Sequence, residues 1–197
     1  MFRRLCLLIG LLLLLGCAAG GPVAIGDLPT GNDDAAPGAA DINEDGKFIS
    51  EQFGFAFRLP AEWEATGTST AGQITFLQFA STTDGSRITI SVSPPADTFE
   101  QQVRDDPEQA LEYAADLFAR DDRSFDAASQ RTFELSSGHP AAVMDVLPRP
   151  EEEIAGGRLL LTYGNELVYG LVLFIWPEAP DLDLQADTVV ESFRMIE

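Results

Sequence analysis

The first sixteen residues restrict what this chain can fold into, because they have the pattern of a leader that is removed from the mature protein. Arg3 and Arg4 give the segment a positive start, and an apolar run from Leu5 to Leu15 follows. A membrane-spanning helix needs about 20 apolar residues, so this run is too short to cross a bilayer. It has the length of the apolar part of a secretory signal peptide. We therefore expect residues 1–16 to be a signal peptide and the folded protein to lie outside the cytoplasm.

The residues that end this leader, Leu14-Leu15-Gly16-Cys17, resemble the lipobox of bacterial lipoproteins. The resemblance implies cleavage before Cys17 and a lipid anchor on its sulfur, so the protein would be held at the extracytoplasmic face of the cell envelope. Ala18 stands where an Asp often retains lipoproteins at an inner membrane. By the same resemblance, the outer membrane is the expected destination if the host has two membranes.

The mature chain has neither a disulfide nor a basic surface to work with. Cys6 lies in the leader and Cys17 is committed to the anchor, so the fold must be stabilised by its core. Loss of Arg3 and Arg4 reduces the 12 basic residues to 10 against 32 acidic ones, a net charge of −22. This charge disfavours binding to nucleic acid and to anionic headgroups. It is compatible with a solvated acidic face, a basic partner, divalent cations or a saline environment.

Composition divides the mature chain into a tether and one domain. Residues 17–46 contain the lipidated Cys17, followed by many Gly, Pro and Ala residues, six acidic residues, and neither aromatic nor basic residues. Such a segment has little to bury and is expected to be disordered. As a flexible coil it would reach roughly 30 Å. Residues 47–197 carry the periodic patterns and are predicted to form a single globular domain.

Hydrophobic periodicity in residues 47–197 alternates between strands and helices. Period-two patterns predict strands at 53–58, 73–80, 86–93, 130–135, 141–147, 158–163 and 166–176, the last with apolar residues on both faces and therefore central in a sheet. Gly164-Asn165 is predicted as the turn of a tight hairpin. Asp106-Pro107 predicts a capped helix start, with Leu111, Ala114, Ala115 and Phe118 on one stripe. A last helix is predicted around Val189 and Val190. The expected fold class is α+β: an antiparallel sheet with helices packed on it.

Three features together resemble PsbP-like domains. They are the Phe55-to-Trp63 segment with its Pro-x-x-Trp, the hairpin at Gly164-Asn165, and the C-terminal segment Val189-Val190-Glu191-Ser192-Phe193-Arg194. That superfamily includes the extrinsic photosystem II subunit and bacterial lipoproteins of the DcrB and LpqN types. The resemblance implies an α/β/α sandwich over residues 47–197. It also implies a scaffold that binds proteins or small ligands, and no particular functional residue transfers with it.

The sequence offers one candidate metal motif. Asp41-Ile42-Asn43-Glu44-Asp45-Gly46 matches the first half of a calcium-binding loop, with Asp41, Asn43 and Asp45 as ligands. The twelfth position is Gln52 instead of a bidentate Glu, and helices are not expected on either side. A polar linker end is therefore the preferred interpretation, and no cofactor is predicted.

Two further groups invite a functional interpretation. His139 follows Ser136 and Ser137, but the chain has no G-x-S-x-G motif, so a turn histidine is preferred to a catalytic base. Glu151, Glu152 and Glu153 form either a solvated loop or a docking loop for a basic partner.

The expected function is that of a non-enzymatic lipoprotein that docks onto an envelope or membrane protein complex or assists its assembly. The partners would be the membrane, through the anchor, and a protein. The alternative is a carrier with a small-molecule or lipid pocket between sheet and helix. A solidly packed core lined by Phe55, Phe57, Trp63 and Phe118 would exclude it.

Overall fold

Ten strands and three helices make up the part of the chain that the computed structural model describes, residues 46–121, 125–148, 153–176 and 182–196. The strands are β1 Lys47–Ser50, β2 Phe55–Arg58, β3 Trp63–Ala71, β4 Ile74–Ser81, β5 Arg87–Ser93, β6 Phe125–Glu134, β7 Pro140–Val146, β8 Gly156–Gly164, β9 Leu167–Ile175 and β10 Arg194–Met195. The helices are α1 Asp97–Asp105, α2 Pro107–Asp121 and α3 Leu182–Ser192.

These strands form two antiparallel sheets. The larger has seven strands in the order β3-β4-β5-β9-β8-β7-β6, and the smaller has three in the order β1-β2-β10. Strand β9 occupies the middle of the larger sheet, as its two apolar faces predict. The hairpin after β8 is also confirmed, although its two loop residues are Asn165 and Glu166, because Gly164 still pairs with Leu167. Both loop residues have positive φ, as a type I′ turn requires.

The main core lies between the two sheets. Phe48, Phe55 and Phe57 of the small sheet pack against Phe79 and Tyr169 of the large one, and Phe193 beyond α3 completes the cluster. Alternating β5 residues Ile88, Ile90 and Val92 extend this core along the large sheet. The period-two pattern of these strands therefore reflects burial of one face.

A second core covers part of the opposite face of the large sheet. Helix α2 places Leu111 and Ala115 against residues of β7, β8 and β9 such as Met144, Leu159 and Val172. The helix begins as its sequence predicts, because Asp106 Oδ1 accepts a hydrogen bond from the Gln109 N–H at 3.1 Å. The segment before it forms a separate helix, α1, which ends ahead of Pro107.

The predicted fold class, α+β with helices packed on an antiparallel sheet in an α/β/α sandwich, is wrong. The described chain is mostly β, and one face of the large sheet is covered chiefly by a second sheet, with only α3 beside it. This second sheet is built from strands of four, four and two residues, and only β2 alternates large apolar residues with other residue types in its sequence. Segments as short as β1 and β10 carry too little periodicity to be recognised from sequence.

Candidate functional site

Most of the residues singled out from the sequence lie outside the described part of the chain. This applies to the lipidation residue Cys17, to the weak metal candidates Asp41, Asn43 and Asp45, and to Glu151 and Glu152. Glu153 is described: its side chain is exposed, and its backbone has a φ of 58° in a turn. Of the three glutamates, the structure therefore describes only Glu153, and the docking loop and the anchor both stay predictions.

The residues that follow Glu153 are hydrogen-bonded and packed against the centre of the large sheet. Ile154 is buried, and the Ala155 N–H donates to the Ile175 carbonyl at 2.8 Å. Gly157 then runs so close to β9 that a Cβ atom there would lie 1.8 Å from the Leu173 carbonyl oxygen. Glu153 is thus presented from a rigid support.

The same end of the sheet receives the chain from the predicted tether. The Leu59 N–H bonds to the Gly46 carbonyl at 2.9 Å, a few residues before β3 begins. Hydrogen bonds connect the loops at this end to one another. The Thr82 N–H donates to the Glu62 carbonyl, and the Trp176 N–H donates to Ser86 Oγ. We call Glu62, Asp84 and Glu153, together with the loops that carry them, the acidic end.

Two of these three acidic residues adopt a left-handed backbone. Glu62 has a φ of 64° and Glu153 a φ of 58°, and both side chains are exposed. A non-glycine residue in this region is uncommon, and strained positions of this kind are frequent at binding sites. Asp84 is more constrained, because its Oδ1 accepts the Ser86 N–H at 2.8 Å. The acidic end can therefore offer carboxylates to a cationic partner.

A buried arginine ties α3 to the sheet close to this end. Arg158 Nη1 lies 3.3 Å from Asp145 Oδ1 on β7, and Nη2 lies 3.8 Å from Asp187 Oδ1 on α3. The guanidinium also donates to the Gly157 carbonyl at 3.1 Å. With its side chain only 14% exposed, Arg158 needs these acceptors to offset its loss of hydration. The arrangement positions α3.

Ser137 and His139 are in contact, but the serine is also bound to the backbone. His139 Nδ1 lies 3.2 Å from Ser137 Oγ, which accepts the Met195 N–H at 3.1 Å. The imidazole packs against Gly164, where a Cβ would approach His139 Cδ2 to 2.8 Å. Ser137 thereby joins the β6–β7 turn to strand β10, and His139 packs in the same turn against β8.

At the end of the sheet opposite the acidic end, the β8–β9 turn clamps the β1–β2 turn. The Tyr169 hydroxyl donates to the Phe53 carbonyl at 2.6 Å, and Asn165 Nδ2 donates to the Gly54 carbonyl at 3.0 Å. Burial raises the pKa of Tyr169 to about 12, while its hydrogen bond with Asn165 acts in the opposite direction. This clamp was missed from sequence because its members are far apart in the chain.

Neither a metal centre nor a membrane span is found in the described ranges. Among those residues, no three His, Cys, Asp or Glu side chains are grouped so that they could hold a metal ion. None of the helices in the same ranges is both long and apolar enough to cross a bilayer.

Comparison with known proteins assigns no family. No family model matches the chain, and no curated protein does. Ten chains of solved structures match. One of them is a crystal structure from Bacteroides thetaiotaomicron VPI-5482 at 1.50 Å resolution, which is 12% identical with a TM-score of 0.42. The match covers 79% of this chain and 50% of the other, so this chain spans about half the length of that protein.

Proposed function

We propose that the protein is a lipid-anchored, non-enzymatic lipoprotein that docks onto an envelope or membrane protein complex, or assists its assembly, on the extracytoplasmic side. The observation that carries the proposal is the leader that ends in Leu14-Leu15-Gly16-Cys17. Cys17 holds the anchor, in the outer membrane where the host has two membranes. Residues 18–46 then give the domain a reach of roughly 30 Å from the lipid surface.

Packing between the sheets supports docking over transport of a ligand. The aromatic rings there lie at contact distance, with centroids 4.8 Å apart for Phe48 and Phe79, 5.4 Å for Phe57 and Phe79, and 5.3 Å for Phe55 and Phe193. Pairs at this spacing stabilise a filled interior. Trp63 is buried in the same core. On the other face of the large sheet, buried Leu111 and Ala115 of α2 contact the strands directly, where a carrier's pocket between sheet and helix would lie.

The acidic end supports a basic protein partner. Its loops carry exposed Glu62 and Glu153 on rigid supports, and Glu151 and Glu152 directly precede Glu153 in the sequence. Complementary charge accelerates association and favours partners of opposite sign. We assign Glu151, Glu152 and Glu153 to the docking loop.

The anchor is tested by fractionating cells that produce the Cys17→Ser variant. We expect this variant in the soluble fraction, because it lacks the sulfur that carries the lipid. The Cys6→Ser variant is the matched control: it changes a leader cysteine that is removed in any case, so it should remain with the membranes. Retention of Cys17→Ser in the membranes would refute the anchor.

Docking is tested by purifying the wild-type protein from detergent-solubilised membranes. A stoichiometric partner should co-purify, and the triple variant Glu151→Gln, Glu152→Gln, Glu153→Gln should recover it at least about tenfold less well. A control with the same charge change elsewhere replaces the exposed Glu112, Asp116 and Glu191 by their amides. Repeated recovery of the lone protein would contradict docking, and equal losses in both triple variants would contradict a role for the loop.

A further inference from the structure

Strand β3 is a long edge of the large sheet. It has nine residues and, within the described ranges, is hydrogen-bonded on one side only, to β4. An edge strand presents backbone N–H and C=O groups that can pair with another extended chain. Ser69 and Thr70 lie on opposite faces of β3 and are both exposed, so this part of the edge is open on both sides.

The other strand edges in the described structure are covered, broken or short. At the far edge of the large sheet, β6 packs along α2, with Gln130 Nε2 donating to the Glu112 carbonyl at 3.2 Å. Its register also shifts between Asp126 and Arg131. In the small sheet, β1 has four residues and β10 has two. These features are the usual means of protecting an edge from pairing.

The features that protect β3 from pairing with another strand occur only in its first half. The bulge lies between Ala65 and Gly67, and the only charge on the strand is Glu64. From Gly67 to Ala71 the register with β4 is regular, and this stretch contains no charge and no proline. Its side chains are also small, which leaves room beside the neighbouring strand.

Partly buried apolar residues of β4 lie behind these small side chains. Ser69 is paired with Phe76, and Ala71 is paired with Ile74. An added strand would place alternate side chains on this face, next to Ser69 and Ala71. Apolar side chains at those positions would cover Phe76 and Ile74.

We propose that the Gly67–Ala71 edge of β3 receives an extended segment of the partner protein as an eighth strand of the large sheet. The proposal rests on the docking function and specifies its interface. Main-chain hydrogen bonds would supply the affinity, and the alternating side chains would supply specificity.

Charge identifies the partner segment as a basic one. No Lys or Arg occurs between Arg58 and Arg87, while Glu62, Glu64 and Asp84 fall in this interval. The fitting segment therefore alternates apolar with polar residues and carries Lys or Arg at the end that lies beside the start of β3, where Glu62 and Glu64 are. A second copy of this chain is a poor occupant, because two mature chains of net charge −22 repel each other.

Crosslinking in membranes tests the position and the occupant together. A photoreactive phenylalanine analogue is placed at Thr68 or Thr70 in the full lipid-anchored chain, with exposed Tyr113 on α2 as the control position. We expect the two β3 positions to crosslink to one basic segment of one partner, at sites two residues apart, with no such crosslink from Tyr113. Crosslinks to a second copy, or to residues 17–45 of the same chain, would overturn the assignment of the occupant.

Proline variants of β3 distinguish a wrong edge proposal from a wrong docking proposal. In an edge strand, alternate N–H groups point outward, so one of Thr68→Pro and Ser69→Pro removes an outward N–H while the other removes a bond to β4. The variant that keeps wild-type stability in urea should recover at least tenfold less partner. Unchanged recovery by that variant would overturn the edge proposal but leave docking intact. Absence of a partner with the wild-type protein would overturn both.

Discussion

Several individual residues stabilise this fold by binding, or by closely approaching, backbone groups of other segments. Tyr169, Asn165 and Ser137 each reach a backbone group of a segment distant in sequence. None of these contacts could be predicted from sequence, because they depend on how the turns of two sheets meet. The aromatic residues Phe55, Phe57 and Trp63, by contrast, were predicted to be core residues from local pattern alone.

Replacing Tyr169 by Phe removes the hydroxyl that satisfies the Phe53 carbonyl. We expect the free energy of unfolding to fall by about 1 kcal/mol, measured by urea denaturation near neutral pH. Because the pKa of Tyr169 is raised in the folded state to about 12, its contribution is present below pH 10 and is lost as pH rises toward 12. Tyr169→Phe should therefore flatten the alkaline loss of stability, and an unchanged alkaline profile would contradict this assignment.

Replacing Gly157 by Ala places a methyl group against the backbone of β9. A Cβ there would lie 1.8 Å from the Leu173 carbonyl oxygen, so the β8–β9 ladder must distort. We expect a loss of about 3 kcal/mol or more in urea denaturation. Gly67→Ala is the control, because its Cβ has only one ordinary contact, 3.8 Å from Gln78 Oε1. Similar stability of the two variants would show that the close approach is wrong.

Elements were predictable where periodicity and local signals agreed. Strands β4, β5, β8 and β9 and helix α2 were anticipated from apolar spacing, a tight turn and a capped start. Strand β3 was missed, because Gly67–Ala71 has no large apolar residue and its pairing with β4 alone defines it. The proposed docking edge was missed for the same reason, although a stretch without Lys, Arg or Pro was visible in the sequence.

The start of α2 provides a test at the scale of one element. Asp106→Ala removes the acceptor of the Gln109 N–H, and we expect a loss of about 1 kcal/mol in thermal or urea unfolding. Asp105→Ala, one residue earlier, removes the same charge but only an exposed bond from Gln101 Nε2. Its effect should be within about 0.5 kcal/mol. A larger effect at Asp105 than at Asp106 would contradict the cap.

For the molecule as a whole, the sequence indicated antiparallel strand pairing, but the α+β class inferred from it is wrong, because the described chain is mostly β in two sheets. The second sheet replaces the helical layer that the PsbP-like resemblance implies, and that resemblance stays a prediction. Glu153 lies in an exposed turn at the same end of the large sheet as Glu62. Strands β4, β5 and β9 separate the strands that follow these two residues, and this placement depends on a strand order that the sequence does not reveal.

The acidic charge has a consequence for the stability of the whole domain. The whole sequence has a net charge of −20, so repulsion between surface carboxylates opposes folding and is screened by salt. We expect the Tm to rise by several degrees when NaCl is raised from about 20 mM to about 500 mM, where the screening length falls below about 5 Å. Differential scanning calorimetry measures this shift. A Tm that falls with salt would show that attractive ion pairs dominate.

The central claim is that a lipid on Cys17 holds this domain at a membrane, where it docks. Intact-mass measurement of the protein purified from membranes tests it most directly. We expect a chain that begins at Cys17 and carries the added mass of a diacylglycerol. An unmodified chain that retains Met1, or one cleaved elsewhere without lipid, would contradict the anchor.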